Sequence, residues 1–280
     1  TANRRQRQMC IRDRSYLENP HCTMEKHKNF FTIRLDILAI AFLLLVGCRP
    51  QPNEPEIPGS IRLEFNLQWN GEDCAVGTVQ TDHLGHPVRI DNLQMYIAPI
   101  EIRNERGEWF EINDVALLDF GIHGQKITTA ANVDTYNAIR FGMGLPAEIN
   151  TDIDPASYAN DHPLSVPGSA GMFWTWSSGY VFVKYEGKFA TESGAQLIEP
   201  LSYHCGTDES YRTVVFELED AFAIESQELT AFTIDFNAAG ALIGEQDAID
   251  IVEDPVTHNA QGTVLGCLLY TSPSPRDSIR

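Results

Sequence analysis

Basic residues are scarce in the body of this chain. Of its 39 acidic and 20 basic residues, five acidic and ten basic ones lie before Cys48 or after Gly266. The stretch between them keeps 34 acids against 10 bases, a net charge near −24. Such a surface argues against nucleic-acid binding, repels anionic lipid, and favours a cationic ligand. Enzymatic signatures are lacking as well. No glycine-rich phosphate loop follows a strand, no Gly-x-Ser-x-Gly elbow occurs, and there is no Cys-x-x-Cys-His haem attachment run. The expectation is a protein that is not an enzyme, and any haem it meets belongs to a partner. Long apolar runs are missing too: the longest, residues 37–46, is short for a membrane span. Cysteine is sparse, with six in all and only Cys74 and Cys205 between Cys48 and Gly266.

Both ends read as foreign to the domain. Residues 9–14 and 267–277 look like the two translated strands of a sequencing adapter, so 1–23 and 267–280 are set aside from fold reasoning. From Met24 the pattern is that of a secretion signal. Lys26, Lys28 and Arg34 supply positive charge, residues 37–46 the apolar core, and Leu45-Val46-Gly47-Cys48 matches the bacterial lipobox. Residues 24–47 are thus expected to be a lipoprotein signal peptide, with Cys48 lipidated, and 48–58 a stiff proline-rich tether. The expected location is outside the cytoplasm, lipid-anchored in the outer membrane on its periplasmic or cell-surface side.

Residues 59–266 hold enough chain for one well-buried domain. Residues 61–67 alternate apolar and polar. Further strand-like runs cover 92–102, 109–112, 136–142, 180–185, 213–218 and 231–236, with a hairpin turn at 103–107. Helix signals are limited to short turns near 155–158 and 241–249. The prediction is an all-β protein, a single-domain antiparallel β-sandwich.

The densest chemistry lies in residues 171–187, Gly-Met-Phe-Trp-Thr-Trp-Ser-Ser-Gly-Tyr-Val-Phe-Val-Lys-Tyr-Glu-Gly. In a strand, Trp174 and Trp176 would share a face. They fit either a core or rim aromatic pair or a functional one. Six histidines fall in the domain: His83, His86, His123, His162, His204 and His258. His83 and His86 have a spacing that suits a metal, but one common in turns. For each histidine the competing reading is a hydrogen-bonding residue. Export makes a disulfide between Cys74 and Cys205 plausible. The rival is a Cys205 thiolate, next to His204, as a Cu(I) ligand. Asn150, Asp152 and Asp154 offer oxygen donors for calcium, at a spacing that is not an EF-hand loop. Glu186 reads as a strand-end charge.

Five segments together resemble one family. They are residues 93–100 (Leu-Gln-Met-Tyr-Ile-Ala-Pro-Ile), 136–146 with Asn150 after it, Asp161-His162-Pro163-Leu164, the Trp-rich run, and residues 202–206 (Ser-Tyr-His-Cys-Gly). In this order they are similar to the MbnP-like copper-binding proteins, the methanobactin-associated periplasmic family of β-sandwiches. The resemblance implies copper, as Cu(I) or Cu(II), bound by His162, His204 and a kynurenine formed from Trp174 or Trp176. It also implies a dihaem cytochrome peroxidase-like partner enzyme that makes the modification. Indole nitrogen is only a donor, so an unmodified tryptophan could not ligate copper in that way. Family members often lack a cysteine at the position of Cys205. A different class of function remains open: a surface module that binds carbohydrate or protein through an aromatic face of Trp174, Trp176 and Tyr180.

Overall fold

Alternating side chains build the first strand, β1 (Gly59–Trp69), in which Ile61, Leu63, Phe65 and Leu67 are buried and Arg62, Glu64 and Asn66 are not. In the computed structural model the described residues are 57–122, 125–151, 153–169, 171–174, 179–243 and 248–257, with the backbone of 278–279. The chain divides into Thr1–Asn53 and Glu54–Arg280, and every described residue lies in the second unit. The calls on Cys48, Trp176, His123, His258 and Asp152 fall outside the described residues. No described helix is long and apolar enough to cross a membrane.

After β1 come β2 (Glu72–Asp73), β3 (Val79–Thr81), β4 (Pro87–Asn104), β5 (Trp109–Asn113), β6 (Ala116–Asp119), β7 (Gln125–Ala131) and β8 (Asp134–Met143). One short helix, α1 (Ala147–Asn150), and β9 (Phe173–Trp174) precede β10 (Gly179–Phe189), β11 (Glu199–Gly206), β12 (Arg212–Ile224), β13 (Leu229–Asn237), β14 (Val256–Thr257) and β15 (Ser278–Ile279). The smaller sheet runs β15-β13-β1-β2, with β7 also on β1. The larger runs β12-β8-β4-β10-β11-β14, and β3, β5 and β6 add to β4 along its length.

The two sheets pack face to face as an all-β sandwich. Phe65 of β1 meets Phe141 of β8 edge-on at 6.1 Å, and Tyr185 of β10 reaches across to donate to the Ala238 carbonyl at 3.3 Å. The antiparallel expectation needs one correction. β1 pairs with β13 in parallel, from Ser60↔Leu229 to Gln68↔Asn237, and β11 pairs with β14 in parallel. Alternation looks the same in either direction, so it could not reveal this. The intervening chain, most of the larger sheet, is the long connection a parallel pair requires. Of the expected turns, Pro155–Ser157 forms a 3-10 turn capped by Asp154, and Gly240–Leu242 forms another at the start of the later one.

Candidate functional site

Between β8 and β10 the chain leaves the sheet and folds over its outer face. It departs at Gly144, where φ is +93° and a Cβ would lie 2.3 Å from the Phe182 ring. Glycine alone suits that backbone. Three side chains then pin the covering segment to the sheet. Tyr96 Oη donates to the Pro163 carbonyl (2.9 Å), Tyr180 Oη to the Leu164 carbonyl (2.6 Å), and Lys184 Nζ to the Gly171 carbonyl (3.1 Å). The cover explains why β4 is buried continuously from Leu93 to Ala98, and β10 from Tyr180 to Val183, instead of alternately.

At the end of this segment, Trp174 of β9 pairs with Gly179 and seats its indole, 5 % exposed, on Gly206 of β11. A Cβ on Gly206 would lie 2.6 Å from the Trp174 ring and 2.6 Å from the Tyr180 carbonyl oxygen. The register shift between β10 and β11 puts the extra residue on β10, between Val181 and Val183, so Gly206 and His204 remain two residues apart on the outer face of β11. Gly206, on which Trp174 is seated, and His204 are thus about 7 Å apart along the strand.

His204 lies cross-strand from Lys184, and its ring turns to the next row. Nε2 meets Glu186 Oε1 at 2.7 Å and Ser202 Oγ at 3.4 Å. The second oxygen of Glu186 accepts from Asn92 Nδ2 at 2.9 Å. Partial burial pushes the Glu186 pKa up, but the bonds from Asn92 and His204 and the charges of His204 and Lys184 outweigh it and hold the carboxyl below its usual range. Sequence reading took Glu186 for a strand-end charge. Its pairing with His204 is a matter of register, which the order of residues does not display.

The other predicted ligands sit elsewhere. Cys205 points inward, wholly buried in the core, on the face of β11 opposite to His204. It cannot share a metal with His204, which corrects the thiolate reading. Burial pushes its pKa up to about 12 and that of half-buried Cys74 up to about 11, where Asp73 adds to the effect. Both are free thiols, so the disulfide considered from sequence is not made here.

His162 lies in the covering segment, stacked on Tyr158 at 4.4 Å, with Nε2 3.7 Å from Asp114 Oδ2. Its Nδ1 accepts the Leu164 amide N–H at 3.1 Å, which places the proton of the neutral ring on Nε2. To ligate through Nε2, the ring would have to move that proton to Nδ1 and lose the Leu164 bond. His162 thus acts as a turn cap in this structure.

The calcium reading fares similarly. Asn150 Oδ1 accepts from the Tyr180 amide (3.0 Å) and Nδ2 donates to Asp208 Oδ1 (2.7 Å), while Asp154 caps the turn at Ala156. One oxygen of each thus takes part in a hydrogen bond that holds the fold. Among the described residues, no group of three or more His, Cys, Asp and Glu is placed to hold a metal ion. What the outer face of β11 does offer is one oriented imidazole, His204, two residues along the strand from the glycine on which Trp174 is seated. Imidazole nitrogen is among the ligand types that suit copper.

Comparison with curated proteins gives no match. Among solved structures, the chain is similar to MbnP from Methylosinus trichosporium, at 16 % identity and a TM-score of 0.47, over 65 % of this chain and 76 % of that one. The family model described as MbnP matches residues 58–260, which hold every described strand but β15, and the chain belongs to the MbnP family.

Proposed function

We propose that this protein captures, stores or relays copper outside the cytoplasm, as a lipoprotein anchored through Cys48. The observation that carries the reading is the placement of Trp174 on Gly206, on the same face of β11 as the carboxylate-held His204. Membership of the MbnP family supports a copper-related role. In this reading His204 supplies an imidazole nitrogen, and kynurenine formed from Trp174 or Trp176 supplies an aryl amine. Oxidation of the indole is the work of a haem partner. Two oxygen atoms, from two molecules of peroxide that leave as water, cleave the C2–C3 bond to N-formylkynurenine. Hydrolysis then releases formate and uncovers the amine. The chain's own part is to hold the indole rigidly and keep bulk water from it, and Trp174 is already buried.

The rival reading, an aromatic platform for sugar or protein, needs exposed rings. Trp174 is 5 % exposed and Tyr180 wholly buried, so neither offers a flat open face. The deciding experiment is peptide mass spectrometry and copper analysis of protein exported by a host that has the haem partner. We expect the mass change of tryptophan to kynurenine in the peptide holding Trp174 and Trp176, together with retained copper. Intact tryptophans with no retained copper would overturn the reading.

A further inference from the structure

Basic residues are scarce in this domain, yet two of the ten between Cys48 and Gly266 lie over one indole ring. Arg140 Cζ is 4.0 Å from the Trp109 ring centroid and Arg103 Cζ is 5.4 Å from it. We infer that Arg140 and Arg103 shield Trp109 from oxidation, and so help to confine the chemistry proposed above to the peptide of Trp174 and Trp176. The purpose of the shield rests on that reading; the resistance of the Trp109 ring to losing an electron does not.

Trp109 opens β5 directly opposite Arg103 of β4, and on the other side of β4 Arg140 of β8 stands opposite Glu101. Each guanidinium is held by a carboxylate at two points. Arg140 donates to Glu101 at 2.6 and 2.8 Å, and Arg103 to Glu217 at 2.9 and 2.5 Å, with Asn137 Oδ1 on the Arg103 Nε at 3.0 Å. Planar forks fixed in this way keep their charge against the indole instead of swinging into water. A neutral aromatic face attracts a cation. Losing one electron to an oxidant makes the indole a radical cation, and the attraction becomes repulsion between like charges. Glu101 and Glu217 soften that repulsion without cancelling it, because the Arg140 charge sits against the ring itself. The net charge near −24 works the other way, since a negative protein yields an electron more readily from any of its rings. Trp69 and Trp174 are each 5 % exposed, whereas Trp109 is only half-buried. By exposure alone, Trp109 would be the first of the three described tryptophans to react.

The test exposes the folded protein to azide radical, an uncharged oxidant that the net charge neither attracts nor repels. The radical takes one electron from an indole and leaves as azide. The indole radical then gives its N–H proton to water and takes up dissolved oxygen, and peptide mass spectrometry locates the product. Arg140→Gln keeps a planar side chain and a donor for Glu101 but no charge. It should raise oxidation at Trp109 by about 2- to 30-fold over wild type. Arg103→Gln, at the greater distance, should raise it less. Yield at Trp69 serves as the dose reference, and circular dichroism reports that each variant is folded. Arg140→Ala removes both charge and cover. If only Arg140→Ala reacts faster while Arg140→Gln matches wild type, the side chain acts as a lid and the inference falls. Wild-type yields at Trp109 in all three variants would overturn it as well. Protein from the native-like host separates this inference from the functional reading. Kynurenine at Trp109 would overturn the shield and leave the functional reading standing. No kynurenine at any tryptophan would count against the functional reading and leave the azide result as it is.

Discussion

Gly206 shows how much of the site depends on the absence of one methyl group. Trp174 occupies the space that a Cβ would need, and the Tyr180 carbonyl closes the other side at 2.6 Å. Backbone cannot yield as a flexible side chain can, so Gly206→Ala must push the indole off β11. We expect a destabilisation of about 1–3 kcal/mol, the usual range for overpacking, together with a shifted tryptophan emission. Denaturant unfolding followed by fluorescence checks both. An unchanged midpoint and spectrum would mean the indole is not seated there. Gly142 follows the same logic, since a Cβ there would lie 2.2 Å from the Ala98 carbonyl oxygen. Neither constraint can be read from a glycine in a sequence, because each depends on what another strand brings up against it.

At the scale of elements, the covering segment is attached at points that lie far apart in sequence. Asn150, the last residue of α1, joins the start of β10 to the turn at Asp208. Asn150→Ala would leave the Tyr180 amide without its acceptor and leave the Asp208 carboxylate with the Thr151 hydroxyl but without its amide donor. The expected loss is about 1–3 kcal/mol. Amide exchange should quicken first at Tyr180, near the start of β10, before the rest of that strand. Uniform protection across β10 in the variant would contradict this. β4 shows another property of elements. Sequence reading ran one strand through residues 92–102 despite Pro99, and the strand does continue, by slipping register between Ile97 and Ile100. The Ala98 carbonyl takes a hydrogen bond from Tyr211 Oη at 3.0 Å instead of a ladder partner. Proline is tolerated within a sheet where the ladder is already interrupted.

For the molecule as a whole, two thiols and one carboxylate set an expected dependence on pH. Folding raises the Cys205 pKa from 9.0 to about 12 by burial, so the folded state holds a proton that the unfolded chain gives up sooner. Stability from that neutral thiol is complete below pH 9 and is lost as pH rises from 9 towards about 12. Glu186 acts in the opposite sense. Its folded pKa is lowered, so its contribution is present above the ordinary carboxylate range and is lost as pH falls below it. Thiol labelling at neutral pH gives a direct check. Both cysteines should resist alkylation in the native protein, half-buried Cys74 reacting before Cys205, and both should react in denaturant. No reactive thiol in denaturant would mean that the pair is joined as a disulfide.

The sequence alone determined the β class, the positions of the long strands other than β7 and β11, and the hairpin turn at 103–107, because half-buried strands must alternate and glycine at positive φ must end them. Gly107 indeed sits at φ +86°. It determined the family too, through the order of five short segments. The tertiary structure decided what those segments do together. It set β1 parallel to β13 and sent Cys205 inward while His204 faces out. It spent His162 on a turn and gave His204 a carboxylate partner. Each outcome depends on register and on which face a strand turns to the core, and the local residue pattern fixes neither until the strands have paired.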